Sequence, residues 1–195
     1  MKFFQVILVA FVCCISCNEN NADNTASNSG EPVEQEKQSF FPVTDFIKGQ
    51  LQDIRKDGIN PLKFTTANGK TDSAWLKIED FEKEIGPFLS PVIDSTNLTS
   101  LFTEKRFLDQ TINAFTFTYD PVKQIPDSFA FQRWDVYVDP QKNTVSRIFL
   151  IKKIAADKKQ LLTWVPGVNC KIVTVYDDGK GKSGIEKDVT IKWDF

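Results

Sequence analysis

Hydrophobic residues change their spacing along the chain, from helical spacing near residue 45 to alternation after residue 100. Thr44 is a suitable helix cap, and the apolar residues that follow it at helical spacing are Phe46, Ile47, Leu51 and Ile54. Gly58 marks the end of this first helix. Apolar positions around Phe81 predict a second short helix, which Gly86 and Pro87 terminate.

A period of two in the sequence pattern predicts strands throughout the second half of the chain. We place them at residues 102–108, 112–119, 129–138, 144–154, 160–165, 170–176 and 185–195. Turn residues such as Asp120, Pro121, Asp139 and Pro140 separate them. Because the links are short, neighbouring strands must be antiparallel. The expected fold is therefore α+β: a strongly curved antiparallel meander of six to seven strands with two short helices near the amino terminus.

A tight hairpin is expected before the second helix. Residues 62–67 and 70–76 flank Asn68 and Gly69, the preferred pair for a type I′ turn.

The central strands carry apolar residues on both faces, so each face must be covered. One interpretation places the helices on one face and the hairpin or a partner protein on the other. The alternative curls the sheet into an open barrel that holds an apolar ligand under a helical lid. The candidate ligand-binding residues are then Phe129, Phe131, Trp134 and Phe149.

The first 17 residues have the pattern of a secretory signal, with a charged start at Lys2, an apolar run at residues 6–15 and the small Ser16 before Cys17. The run is too short to span a membrane stably. The pattern resembles the signal of bacterial lipoproteins, and the resemblance implies that Cys17 is the lipidated anchor. Cys14 occupies the position where that family usually has leucine. Ordinary cleavage without lipid is the alternative.

Residues 18–38 form an acidic, Asn-rich stretch that contains too little apolar surface to fold and is expected to act as a disordered tether. A flexible chain of this length spans about 25 Å on average. Residues 39–195 then form a single globular domain of nearly balanced charge, which gives no indication of nucleic-acid binding.

The sequence argues against most catalytic and metal chemistry. It contains no histidine, which removes the common nucleophile systems and the commonest transition-metal ligand. Cys170 is the one thiol left after the signal and anchor, and its strand position favours a buried structural role. The loop at residues 177–184 fits neither a phosphate-binding loop nor a calcium loop. No cofactor and no metal are expected.

Carboxylates remain the one route to an enzyme, acting on envelope glycans. Asp135 and Asp139 are the candidates, although Arg133 lies on the same strand face as Asp135 and offers an ordinary ion-pair explanation. An exposed tryptophan at a strand edge would instead favour a glycan-binding protein over a carrier.

The whole chain resembles uncharacterised lipoproteins of the Bacteroidota kind in composition. Asn18 after the anchor cysteine is compatible with passage to the outer membrane, since the inner-membrane retention signal of lipoproteins at that position is an aspartate. The curled-sheet alternative is similar in architecture to the outer-membrane lipoprotein carrier and receptor proteins. We expect a non-enzymatic binding or scaffold module of the cell envelope, held on the membrane by its lipid, that binds an envelope protein or an apolar ligand.

Overall fold

A computed structural model describes residues 39–126 and 129–194, which form three helices and one antiparallel sheet. Cys17 and the tether lie outside the described residues. The helices are α1 (Val43–Lys56), α2 (Ile78–Glu84) and α3 (Gly86–Leu89). The strands are β1 (Leu62–Ala67), β2 (Lys70–Trp75), β3 (Phe102–Asp109), β4 (Ala114–Pro121), β5 (Phe131–Asp139), β6 (Thr144–Ala155), β7 (Lys158–Val165), β8 (Asn169–Asp177) and β9 (Ser183–Lys192).

The sheet has nine strands in the order β2-β1-β9-β8-β7-β6-β5-β4-β3. All seven strands expected after residue 100 are present in an antiparallel meander, with shifted ends. The hairpin is also confirmed, and Asn68 and Gly69 both have positive φ, as a type I′ turn requires. The prediction of six to seven strands was wrong because β1 pairs with β9, which brings the hairpin into the sheet. The hairpin therefore does not cover a face.

The sheet is open, and the predicted strong curvature is not observed. Its two ends are β2 and β3, which do not pair with each other. Closing a barrel requires the first and last strands to meet with a defined stagger, and short meander turns do not impose one. The open barrel with an internal ligand is thus excluded as the architecture.

The helices cover one face of the sheet, which we call the inner face. Trp134, Trp164 and Trp193 are buried on it. Phe81 of α2 packs against Trp193, and Phe88 of α3 packs against Trp164, with ring centroids 5.5 Å apart in each pair. The buried residues of α1 are Val43, Thr44, Ile47, Leu51 and Ile54. The opposite, outer face carries the half-buried apolar centre of β6, β7 and β8.

The helix starts differ from the prediction in two places. Pro42 precedes α1, and Thr44 lies inside the helix, where its hydroxyl accepts a hydrogen bond from the Ile93 N–H at 2.8 Å instead of capping the helix. Gly86 begins α3 one residue after the end of α2, and Pro87 lies in its first turn, where proline is tolerated. Gly58 ends α1 with φ +67°, as expected.

Candidate functional site

The segment that precedes α1, residues 39–41, is packed onto the inner face, and we call it the lead segment. The Phe40 ring lies edge-on to Tyr119 with centroids 4.9 Å apart, and Phe40 is buried. The Phe40 N–H donates to the Ser95 carbonyl at 2.9 Å, and the Phe41 N–H donates to the Tyr119 hydroxyl at 3.1 Å. Both backbone and side chains therefore fix the lead segment in place.

A cleft of about 380 Å³ lies beside the lead segment, on the part of the inner face formed by β3, β4, β5 and β6. The side chains that define it are Phe41, Glu104, Arg106, Phe117, Val138 and Val145. The volume lies within the range of about 300–1,000 Å³ that small-molecule sites usually have.

A register shift between β5 and β6 supplies part of the cleft floor. Tyr137 is paired with Arg147, whereas the next residue, Val138, is paired with Val145, so that Ser146 is an extra residue in β6. Such a bulge reverses the alternation of side chains beyond it. Val145 is thereby turned onto the inner face beside Val138, where both pack against the core.

The polar end of the cleft is built around Glu104. Its side chain is only 8% exposed and forms an ion pair with Arg106, whose side chain is 71% exposed. The hydrogen bond from Arg106 to Glu104 raises the pKa of the Arg106 guanidinium. Glu104 also accepts a hydrogen bond from Tyr119, and burial followed by this bond raises the pKa of the Tyr119 phenol. The buried carboxylate is thus compensated by two donors, as a buried charge must be.

Apolar surface continues from the cleft floor towards the turn that joins β3 to β4. The Arg106 guanidinium lies 5.6 Å from the centroid of the Phe117 ring. Leu108 and Phe115 are opposite each other in the strand pairing, and both are exposed. The cleft therefore combines an ion pair of zero net charge with an apolar floor, and exposed apolar residues continue from this floor outside the cleft. This arrangement is suited to binding.

The predicted ligand-binding residues do not line this cleft. Phe131 and Trp134 are fully buried core residues on the inner face, and Phe129 packs beside them with its ring centroid 5.9 Å from that of Phe102. Phe149 is paired with Asp135 on the outer face. The structure brings three of the four together within the core and separates the fourth.

The carboxylate candidates make structural hydrogen bonds. Asp135 is 4% exposed and accepts hydrogen bonds from the Thr118 hydroxyl at 2.6 Å and from Arg133 at 3.1 Å, which matches the ion-pair explanation. Asp139 accepts from the backbone N–H groups of Gln141 and Lys142 in the β5–β6 turn, which lowers the pKa of Asp139. With both engaged in this way, the hydrolase interpretation gains no support.

The remaining candidate groups also have local structural roles. Cys170 is buried, and that burial raises the pKa of its thiol. Asp177 and Asp178 accept backbone hydrogen bonds within the β8–β9 hairpin tip. Among residues 39–126 and 129–194, no cluster of His, Cys, Asp or Glu is arranged to hold a metal ion.

Glu104, Arg106 and Tyr119 lie in strands that the sequence predicts, but no sequence motif marks them as a site. A signal was present in the alternation of β3, where Phe102, Glu104 and Arg106 share one face. Two charged residues on the same strand face as a buried aromatic residue indicate that this part of the face is no longer covered by the hydrophobic core.

No protein-family model matches the chain, and no curated protein or solved structure matches it. None of the helices in the described part of the chain is long and apolar enough to cross a membrane.

Proposed function

We propose that this protein is a lipid-anchored, non-enzymatic binding module of the bacterial cell envelope and that the cleft beside the lead segment is its binding site. The observation that carries the proposal is the cleft itself, with its apolar floor and a compensated Glu104–Arg106 pair at one end. The lead segment follows the predicted tether in the chain, so the cleft lies where the chain enters the folded domain.

The lining favours a ligand with an apolar body and a small polar group. Phe117, Val138 and Val145 offer apolar contact along the floor. Arg106 bonds to Glu104 through its Nε–H, and a guanidinium has four further N–H donors that a polar group of a ligand can engage. A fatty acyl chain with a carboxylate or phosphate end has this chemistry.

Binding of a fluorescent fatty acid to residues 18–195 tests the proposal. This fragment contains every described helix and strand. We expect the probe to bind, and Val145→Glu to weaken binding by about tenfold, because a carboxylate would be placed against the acyl chain. Val165→Glu is the matched control, since Val165 is half-buried on the outer face. Absence of binding, or equal weakening by both variants, would refute the cleft as the site.

The anchor is tested separately by metabolic labelling with palmitate. Cys17→Ser should abolish incorporation of the label and release the protein from the membrane fraction. Cys14→Ser should leave both unchanged, because Cys14 is expected to be removed with the signal. Labelling that persists in Cys17→Ser would show that another residue carries the lipid. A wild-type protein that takes up no label would show that the signal is cleaved without lipidation.

Glycan binding is a second candidate function, favoured by Trp75. This tryptophan is 64% exposed on the edge strand β2, and Phe64 of β1 shares its sheet face. An exposed aromatic ring on a sheet can present apolar surface to the face of a sugar ring, and Trp also has a polar N–H.

A sedimentation assay with purified peptidoglycan tests this second function. We expect Trp75→Ala to reduce the bound fraction. Tyr176→Ala removes another exposed aromatic residue, in β8 beside the β8–β9 turn, and should leave the bound fraction unchanged. Binding that is absent, or insensitive to Trp75→Ala, would remove the glycan hypothesis.

A further inference from the structure

The edge strand β3 has a defined set of backbone groups that point away from the sheet. The Val122 N–H donates to the Leu101 carbonyl at 2.9 Å, in the same register as the β3–β4 ladder. Hydrogen-bonded and non-hydrogen-bonded pairs alternate in an antiparallel ladder. The next pair, Phe102 with Pro121, is therefore non-hydrogen-bonded, which suits proline because it has no N–H. It follows that the backbone groups of Glu104, Arg106 and Leu108 face the free edge.

The beginning of this edge is blocked, whereas its end is accessible. Phe102 is buried, and its N–H donates to the Leu98 carbonyl at 3.0 Å. Further along, the Phe107 side chain is 49% exposed. An accessible edge with an exposed aromatic side chain is a template for pairing with another strand.

We propose that two copies of this chain pair antiparallel through their β3 edges, with Phe107 at the two-fold axis. The inner face of one sheet continues into the inner face of the other only if directly opposite residues point to the same face. In a symmetric antiparallel pairing of this kind, one residue lies directly opposite its own copy. Centring on Lys105 or Arg106 would place like charges directly opposite each other, which is destabilising. Centring on Lys105 would also require Phe102, whose backbone is already engaged.

Centring on Phe107 places no like charges opposite each other and gives one pair of opposite charges on each side of the axis. Lys105 of each copy then faces Asp109 of the other, and Arg106 faces Leu108 of the other. Lys105 already forms an ion pair with Asp120 at 2.9 Å, and its ammonium has further donors for a second carboxylate. The two Phe107 rings meet as a non-hydrogen-bonded pair, the closer type of cross-strand contact. Because Glu104 and Arg106 line the cleft, the pairing brings the two clefts next to each other. It does not depend on what the cleft binds.

Cysteine cross-linking of residues 18–195 tests the register directly. Cα atoms of a non-hydrogen-bonded antiparallel pair are about 4.5 Å apart, within the range for a disulfide. We expect Phe107→Cys to form a covalent dimer when a mild oxidant such as oxidised glutathione is added. Thr103→Cys lies on the same strand and face, but its two copies would be about 27 Å apart, so it should remain monomeric. Cys170 is fully buried and does not interfere.

A charge swap provides a second, non-covalent readout by analytical ultracentrifugation. We expect Lys105→Asp to weaken dimerisation by about tenfold and the double variant with Asp109→Lys to restore it. A monomeric wild-type chain at high protein concentration, or equal cross-linking of the Phe107→Cys and Thr103→Cys variants, would overturn the proposal. Cross-linking by Thr103→Cys alone would show a different register and would overturn it as well.

Discussion

Replacement of Phe40 by alanine measures whether the lead segment belongs to the folded domain. Phe40 is 2% exposed and packs against Tyr119 and Trp134, with ring centroids at 4.9 Å and 6.3 Å. Its neighbour Phe41 is only half-buried and contacts Phe46 in α1, with ring centroids 5.5 Å apart. If the lead segment were an extension of the tether, neither ring would affect the free energy of unfolding.

The expected cost of Phe40→Ala is about 3–4 kcal/mol. Burial of a phenylalanine side chain contributes about 1.5–3 kcal/mol of transfer free energy, and the cavity left behind adds to it. The edge-to-face contact with Tyr119 contributes about 0.5–1.5 kcal/mol more. An ordinary domain has about 5–15 kcal/mol of total stability, so this single ring would account for a large share.

Urea unfolding of residues 18–195, followed by tryptophan fluorescence, provides the measurement. The midpoint should fall while the slope against urea stays constant, because the surface exposed on unfolding changes little. Phe41→Ala is the control and should cost about 1–2 kcal/mol, in keeping with its partial burial. A loss below about 1 kcal/mol for Phe40→Ala would show that the lead segment does not pack as described.

Three further predictions concern buried polar groups. Burial raises the pKa of the Tyr119 phenol above its unfolded value near 10, so the folded state favours the neutral phenol. The free energy of unfolding should therefore fall as the pH rises above about 10. Tyr119→Phe should make this fall smaller, and an unchanged alkaline stability profile in the variant would contradict the assignment. The Cys170 thiol should not react with Ellman's reagent in the native protein and should react after unfolding in urea, whereas rapid native labelling would show that it is accessible. Asp135→Ala should lower the free energy of unfolding by about 1–3 kcal/mol, because the Thr118 hydroxyl and Arg133 lose their acceptor, and a change near zero would indicate that this network contributes no net stability.

The strands were predictable because their signals are local. Alternation identifies each one, and turn residues such as Asp139 mark where it ends. The hairpin at Asn68 and Gly69 was predictable for the same reason, since only a few residue pairs adopt positive φ at both positions. Short links then impose antiparallel pairing between neighbours in the chain.

The pairing of β1 with β9 was not predictable in this way. It joins Leu62 to Lys192, residues far apart in the sequence, and no local signal specifies it. Its physical basis is the free edge of β9, whose unpaired backbone groups are satisfied when β1 binds there. This one non-local contact changed the strand number and also determined that the hairpin extends the sheet instead of covering it.

The cleft depends on a strand register that the alternation of apolar and polar residues in the sequence does not show. Strict period-two alternation from Ile148 back along β6 would place Val145 on the outer face, and only the extra residue Ser146 turns it inward. Phe131 and Trp134, which the sequence suggested as ligand-binding residues, are buried and do not line the cleft, because large aromatic side chains are among the residues most often buried in the core.

The polar end of the cleft shows why the charged residues of a sequence are a better guide to a site of this kind than its aromatic residues. Glu104 has a nearly buried side chain, and a carboxylate in that position is tolerated only if donors compensate it. One donor, Arg106, is two residues away on the same strand, but the other, Tyr119, comes from the neighbouring strand and is itself fixed by the Phe41 N–H of the lead segment. The site therefore forms only when the lead segment, β3 and β4 are assembled together. A charged pair that shares a strand face with a core aromatic residue is the part of this arrangement that a sequence displays, and the cross-strand partner is the part that requires the fold.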